Sequence, residues 1–195
     1  MAGCPISYIL DAMMRVSVVG NSGSGKSTLA RTLATALGVP CVELDALFHQ
    51  PGWAELPREE FRGQVDAATT GPGWVVDGNY SAVRDLVWQR ADTVVWVDPP
   101  RRTVMRQIIW RTLRRAVLRT ELWNGNRERW TNLFSRDPNQ SIIAWSWQRD
   151  DVYRRRYATA ATDPAWQHLR FIRVRSRADA QALLSGGDAV KDPRS

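Results

Sequence analysis

Arg15-Val16-Ser17-Val18-Val19-Gly20-Asn21-Ser22-Gly23-Ser24-Gly25-Lys26-Ser27-Thr28-Leu29 is the stretch on which the reading of this chain turns. Five residues with the pattern of a buried strand run into Gly20, and from there the order is glycine, four residues, glycine, lysine and a hydroxyl residue. Leu29, Leu33 and Leu37 then recur every fourth position, the spacing of one helix face. With glycine at about 7% of residues, such an order arises by accident in a chain of this length on the order of one time in a hundred, and flanking strand and helix lower the odds further.

Strand, glycine turn and helix in this order serve a physical purpose. Glycines let successive N–H groups point inward at phosphate oxygens, and the helix start adds the positive end of its dipole. Gly20, Asn21, Ser22, Gly23, Ser24, Gly25, Lys26, Ser27 and Thr28 are therefore the expected nucleoside triphosphate cradle. Lys26 supplies a mobile cation for the β and γ phosphates, and Ser27 offers its hydroxyl to magnesium, which keeps most of its waters. Lys26 and Lys191 are the only lysines among 27 basic residues. A compact ammonium, where arginine is the rule elsewhere, is itself informative.

Outward from the cradle the chain keeps alternating. Val39 to Leu44 reads as a second strand, Pro57 with Glu59 and Glu60 as a helix start, and Trp74-Val75-Val76-Asp77 as a third strand after the Gly71-Pro72-Gly73 stop. A short helix from Ser81 to Gln89 leads to a fourth strand, Thr93 to Asp98, ended by Pro99-Pro100. A long basic helix to about Thr120, a polar stretch from Glu121 to Gln140 and a helix from Ser141 to Thr162 follow, then a fifth strand from Leu169 to Val174 and a last helix from Ala178 to Leu184. The expected fold is α/β: a P-loop NTPase with a five-stranded, mostly parallel sheet, helices on both faces and an arginine-rich helical lid insert.

The 195 residues, 44% apolar and 24% charged, suit one globular domain and leave no room for the second domain of a motor or helicase. Residues 1–14 read as an N-terminal extension in front of a possible start at Met14, 15–185 as the P-loop domain with its lid near 120–140, and 186–195 as a flexible tail. No apolar run approaches the ~20 residues that span a bilayer, and the first fourteen residues lack the marks of a signal peptide, so a cytoplasmic protein without a membrane partner is expected. Cys4 and Cys41 have no metal-ligand spacing around them. The ten tryptophans are scattered, as core residues or pocket walls would be.

In an open α/β sheet ligands gather outside the carboxyl ends of the strands, and three strands end in acids. Asp77 is placed to hold magnesium waters, with Gly78 leaving space for substrate; an Asp-Gly turn is the plainer alternative. Glu43 and Asp45 end the second strand one residue apart, so alternation points them the same way. Asp45 either accepts the proton of a hydroxyl or phosphate acceptor or caps the next turn. Asp98 reads as a cap for the basic helix. That helix carries Arg101, Arg102, Arg106, Arg111, Arg114, Arg115 and Arg119 with no acid among them. Like charges at helical spacing repel, and a polyanion nearby relieves the strain. His49 and His168 are assigned no role.

With these residues located, the chain resembles the adenylate-kinase-like group of small P-loop kinases from about Arg15 to Leu184. Val76-Asp77-Gly78 is similar to that group's Asp-Gly pair, which implies an aspartate reaching magnesium through water. Arg111 falls where its first lid arginine stands, and Arg149-Asp150-Asp151 with Arg154 to Arg156 is similar to its returning arginines at shorter spacing. Glu43-Leu44-Asp45 resembles the acid-x-Asp of shikimate-kinase-like members. Leu44 to Phe48 through Trp53, Asp77-Gly78-Asn79-Tyr80 and Gly125-Asn126-Arg127-Glu128 resemble bacterial proteins labelled topology modulation protein or adenylate-kinase-related. Asn79-Tyr80-Ser81 stands where adenylate kinases carry Phe-Pro-Arg, a departure that weighs against AMP as the acceptor.

The resemblance and the residues together imply an enzyme that moves the γ-phosphate of magnesium-ATP to a small acceptor. Lys26, Asp45, Arg111, Arg127 and Arg149 are its expected catalytic residues, and Ser27 and Asp77 its metal contacts. An alternative from another class is a nucleotide-binding regulator that sets its basic helix against nucleic acid, motivated by the net charge of +7.

Overall fold

Five strands pair side by side and all in one direction, in the order β2-β3-β1-β4-β5, with β1 (Arg15–Gly20), β2 (Cys41–Glu43), β3 (Trp74–Asp77), β4 (Thr93–Val97) and β5 (Arg170–Val174). The structure, a computed structural model, describes residues 13–118 and 142–186, and for 111–118 and 142–149 only the helical backbone. The expected lid, 120–140, most of the N-terminal extension and all but the first residue of the tail lie outside the described residues.

Helices fill the crossovers: α1 (Lys26–Leu37), α2 (Leu44–Phe48), α3 (Arg58–Ala68), α4 (Arg84–Arg90), α5 (Arg101–Leu118), α6 (Ile142–Thr162) and α7 (Arg177–Leu184). The strands alternate between two cores, as period two demands. Val16 and Val18 of β1, Val75 of β3, Val95 and Val97 of β4 and Ile172 and Val174 of β5 face Leu29, Ala30 and Leu33 of α1 and Leu183 of α7. Val19, Trp74, Val76, Val94, Trp96 and Phe171 face the other way, toward Phe61 and Val65 of α3, Val87 and Trp88 of α4 and Tyr153 and Tyr157 of α6. Met13 is fully buried in the first core, so packing begins before Arg15.

The second strand is shorter than its sequence suggests. It stops at Glu43, and Leu44 starts a five-residue helix. Alternation along a strand therefore does not govern Asp45, which α2 carries instead.

Register lines up the carboxyl ends. Val18 of β1 lies opposite Asp77, Glu43 of β2 also lies opposite Asp77, and Gly20 lies opposite Val97. Crossovers leave β1 toward β2 on one side and return past it to β4 on the other, so the crevice above β1 is a topological switch point, where such sheets bind ligands.

Candidate functional site

The glycine turn between β1 and α1 opens into that crevice. Gly25 caps α1 in a left-handed conformation, with φ of 93°, and the space beside its α-carbon is open. Gly23, at φ of 74°, is packed: a β-carbon there would stand 2.3 Å from Ile108 Cγ1 of α5. The crest of the loop thus leans on the arginine helix. Its base is fixed from the segment after β3, because the Gly20 N–H donates to Asn79 Oδ1 at 3.0 Å and the Asn79 amide donates back to the Gly20 carbonyl. Tyr157 Oη of α6 donates to the same Asn79 Oδ1 at 3.0 Å. This turn on a parallel sheet of order 2-3-1-4-5 makes the protein a P-loop NTPase in fold.

The Asn21 side chain is engaged by its neighbours. Its Oδ1 accepts from the Ser22 N–H at 2.8 Å, and its Nδ2 donates to Asp150 Oδ1 of α6 at 3.1 Å. Ser24 Oγ, by contrast, is buried without a hydrogen-bond partner.

Asp77 is the electrostatic centre of the crevice. It is 5% exposed, and burial pushes its carboxyl above the usual carboxylate range; the Lys26 ammonium and a hydrogen bond from Ser27 pull it back, while Asp45 and Glu43 push it further up. Asp77 Oδ1 is buried without a hydrogen-bond partner. An acceptor-only oxygen left bare, with a serine hydroxyl beside it and two more carboxylates in range, is short of positive charge. A hard divalent cation that keeps most of its waters and needs one or two protein oxygens fits this donor set. The residues present therefore fit magnesium with a triphosphate: Ser27 and Asp77 on the metal side, Lys26 and the loop amides on the phosphate side.

Beside Asp77 lies a second polar group. Tyr80 Oη donates to Asp45 Oδ1 at 2.7 Å and stands 3.3 Å from His49 Nε2. The phenol is wedged against Phe48 and Phe61, with ring centroids 4.8 and 5.2 Å away. Burial and the neighbouring Asp45 push its pKa up, so it remains a donor. Glu43 is drawn aside into an ion pair with Arg31 of α1 at 2.7 Å. Burial raises the Cys41 thiol to about 11, which makes it a poor nucleophile.

Gly78 does not leave room for a substrate. A β-carbon there would lie 2.8 Å from Leu44 Cβ, so the gap is filled by the first residue of α2. Asp98 does not rest at a helix end alone: its carboxylate meets Arg173 of β5 and, at 3.0 Å, Arg154 of α6. Arg154 Nε also stands 3.1 Å from Asp150 Oδ2. Neither approach of Arg154 Nε is aligned as a hydrogen bond.

Of the three arginines expected on the lid and its stems, Arg111 lies on α5 and Arg149 on α6, but their side chains are outside the description, as is all of Arg127. The sequence reading missed Asn79 as the brace of Gly20, Tyr80 as the partner of Asp45, and the tie from Asn21 to Asp150. The Asn79-Tyr80 departure from Phe-Pro-Arg was the available signal for the first two.

No family model matches the chain. A shikimate kinase of Corynebacterium diphtheriae is 38% identical over 96 residues, an alignment that covers 43% of this chain and 56% of that protein. The chain thus spans little more than half the length of the curated relative it matches. Among solved structures, a gluconokinase from Sinorhizobium meliloti 1021 aligns with a TM-score of 0.49 and 17% identity, over 89% of this chain and 93% of that one. A shikimate kinase from Acinetobacter baumannii in complex with shikimate aligns with a TM-score of 0.49 and 19% identity, over 89% and 90%. No helix of the described residues is long and apolar enough to cross a membrane.

Proposed function

We propose that the chain is a cytoplasmic phosphotransferase that binds magnesium-ATP in the P-loop and phosphorylates a small acceptor beside Asp45. One observation carries this: the bare, buried Asp77 Oδ1, beside Ser27 and Lys26 at the mouth of a glycine cradle. Magnesium-ATP, when bound, supplies both the transferable phosphoryl group and the positive charge that this corner of the crevice lacks. The partial identity with a protein named shikimate kinase supports a kinase over an idle nucleotide switch.

The chain's own residues divide the work. Loop amides and Lys26 hold and orient the phosphates, a task of positioning and electrostatics. Ser27 and Asp77 hold the cation side. Asp45 accepts the proton of an acceptor hydroxyl, and Tyr80, donating to one of its oxygens, leaves the other free and fixes its direction. Arg111, Arg127 and Arg149, on the lid and its stems, close over the phosphates and exclude water.

Titrating magnesium-ATP against the wild-type protein and Lys26→Ala tests the cradle: affinity falls at least tenfold in the variant. Equal affinity in the two proteins defeats the proposal. Following ADP release with a panel of hydroxy acids, sugars and nucleotides, shikimate and gluconate among them, identifies the acceptor.

A further inference from the structure

Three polar side chains meet at the Tyr80 phenol. Asp45 and His49 stand one turn apart on α2 and its C-terminal cap, where the His49 N–H donates to the Asp45 carbonyl at 3.0 Å. Residues at this spacing share a face, and Tyr80 Oη lies against both side chains, 2.7 Å from Asp45 Oδ1 and 3.3 Å from His49 Nε2. A phenol has one proton to give. It goes to the carboxylate, the shorter contact and, when ionised, a group with no hydrogen of its own to offer. The nitrogen at 3.3 Å therefore bonds to Tyr80 only as a donor, which requires a hydrogen on Nε2. The chain then runs one way, from His49 Nε2–H to Tyr80 Oη and from the Tyr80 hydroxyl to Asp45 Oδ1.

The segment after α2 is shaped around this imidazole. His49 pairs with Glu55 in an antiparallel bridge, the Gln50 N–H donates to the Ala54 carbonyl at 2.8 Å, and the Leu56 N–H donates to the Phe48 carbonyl at 2.9 Å. Inside the loop closed in this way, Gly52 and Trp53 have φ of 74° and 62°. Among the described residues Trp53 is the one non-glycine with positive φ, and for a bulky side chain that conformation is strained. Burial does not account for it, because Trp53 is 41% exposed. What the strained turn places is an aromatic edge on His49: the Trp53 ring meets the imidazole T-shaped, with centroids 5.3 Å apart, and Phe48 does the same at 5.2 Å. Two rings thus set the plane in which Nε2 points at Tyr80.

We infer that His49 is a positioning residue of the acceptor site: its Nε2–H orients the Tyr80 hydroxyl, which holds one oxygen of Asp45 and leaves the other to the acceptor. Hydrogen bonds in a chain polarise one another, so the imidazole makes the phenol a stronger donor to the carboxylate than it is alone. Without it the phenol keeps its place between Phe48 and Phe61, but its hydroxyl loses the partner that fixes the O–H direction. The inference deepens the kinase reading and rests on it for the effect on rate. The hydrogen-bond chain itself does not depend on that reading.

The chain has two histidines, His49 and His168, so ring-nitrogen NMR of untagged, histidine-labelled protein reads the first link directly. His168 Nε2 lies 3.0 Å from the Trp88 carbonyl and serves as an internal reference. Spectra are taken without nucleotide at about pH 8.5, where an ordinary imidazole is neutral. His49 shows a hydrogen on Nε2, and Tyr80→Phe shifts the His49 ring nitrogens while those of His168 stay in place. A His49 ring whose only hydrogen is on Nδ1, or one whose spectrum ignores the loss of the Tyr80 hydroxyl, overturns the inference.

Rate is read as ADP release from magnesium-ATP, with water and with the panel of hydroxy acids, sugars and nucleotides as acceptors. His49→Leu lowers kcat by about three- to tenfold, the worth of one neutral hydrogen bond, with the KM for ATP unchanged. His49→Gln, which keeps an N–H near the place of Nε2, recovers most of that loss. Because His49 acts through the phenol, His49→Leu slows a Tyr80→Phe enzyme no further. A histidine that only fills space gives an additive loss that glutamine does not rescue, and either result overturns the inference. Wild-type protein that releases no ADP with any acceptor contradicts the kinase reading instead, and the ring spectra still decide whether His49 donates to Tyr80.

Discussion

Tyr80 Oη donates to Asp45 Oδ1 at 2.7 Å, joining the segment after β3 to α2 across 35 positions of sequence. The phenol is locked between Phe48 and Phe61, so it holds the carboxylate in one orientation at low entropic cost. Removing the hydroxyl in Tyr80→Phe leaves Asp45 in place but free to rotate. The expected result is a fall in kcat of about tenfold with the KM for ATP unchanged. Asp45→Asn, which removes the proposed base, lowers kcat on the order of a hundredfold to ten-thousandfold. Steady-state kinetics on both variants check this, and a Tyr80→Phe enzyme as slow as Asp45→Asn would show that the phenol does more than orient.

Asp77 is strained by its own charge. Burial raises its folded-state pKa above the unfolded value, so the folded chain holds this proton more tightly than the unfolded one. Stability from this group is therefore highest below the unfolded pKa, near 4, and is lost as pH rises through the folded pKa. Above that the ionised carboxylate is a standing cost to the free protein. Asp77→Asn is expected to melt higher than wild type at neutral pH without ligand, and to lose that advantage as pH falls toward about 4. It also loses on the order of a hundredfold in magnesium-dependent activity. Melting curves across this pH range, with and without magnesium-ATP, read both effects.

The loop crest meets the arginine helix at Gly23, where a β-carbon would come within 2.3 Å of Ile108 Cγ1. Gly23→Ala carries that overlap and a backbone at φ of 74°, and is expected to cost about 1–3 kcal/mol. Pairing it with Ile108→Ala removes the overlap but not the backbone strain. Urea unfolding of the two single variants and the double variant should therefore show a coupling that recovers part of the loss. A purely additive cycle would show that the contact between loop and helix is not tight.

How much of this was legible in the sequence follows from the range of each interaction. The cradle, β1, β3 and α1 were readable because Gly20 to Ser27 and the leucines at 29, 33 and 37 are local patterns, and the five strands alternate as their two cores require. Helix α2 was not, because five residues from Leu44 to Phe48 are too short to show a period. Asp45 and Asp77 were both picked from places at strand ends, although the structure gives Asp45 to α2; their environment came only from pairing β2 with β3 and from Tyr80, which no local rule connects to Asp45.

Asp98 shows the same limit and yields the last prediction. It is 6% exposed and lies between Arg173, which is stacked 4.3 Å from the Trp96 ring centre, and Arg154. Arg154 in turn reaches Asp150, itself 4% exposed, and Asp150 accepts from Asn21 in the P-loop. These contacts therefore tie the end of β4, β5 and α6 to the glycine turn. Asp98→Ala takes one buried anion from between two cations that are each about one-third exposed. Water screens part of the loss, so a cost of about 2 kcal/mol is expected, below that of breaking a fully buried pair. Because Asp150 then becomes the acid left to hold Arg154, its hold on Asn21 weakens, and ATP affinity should fall several-fold alongside stability. Asp150→Asn keeps an acceptor for Asn21 while removing the carboxylate charge that faces Arg154, so it separates the two consequences: stability drops while ATP affinity stays near wild type. Chemical denaturation and nucleotide titration of both variants decide it, and an Asp150→Asn protein with ATP affinity as low as that of Asp98→Ala would place the tie on charge alone and not on the Asn21 contact.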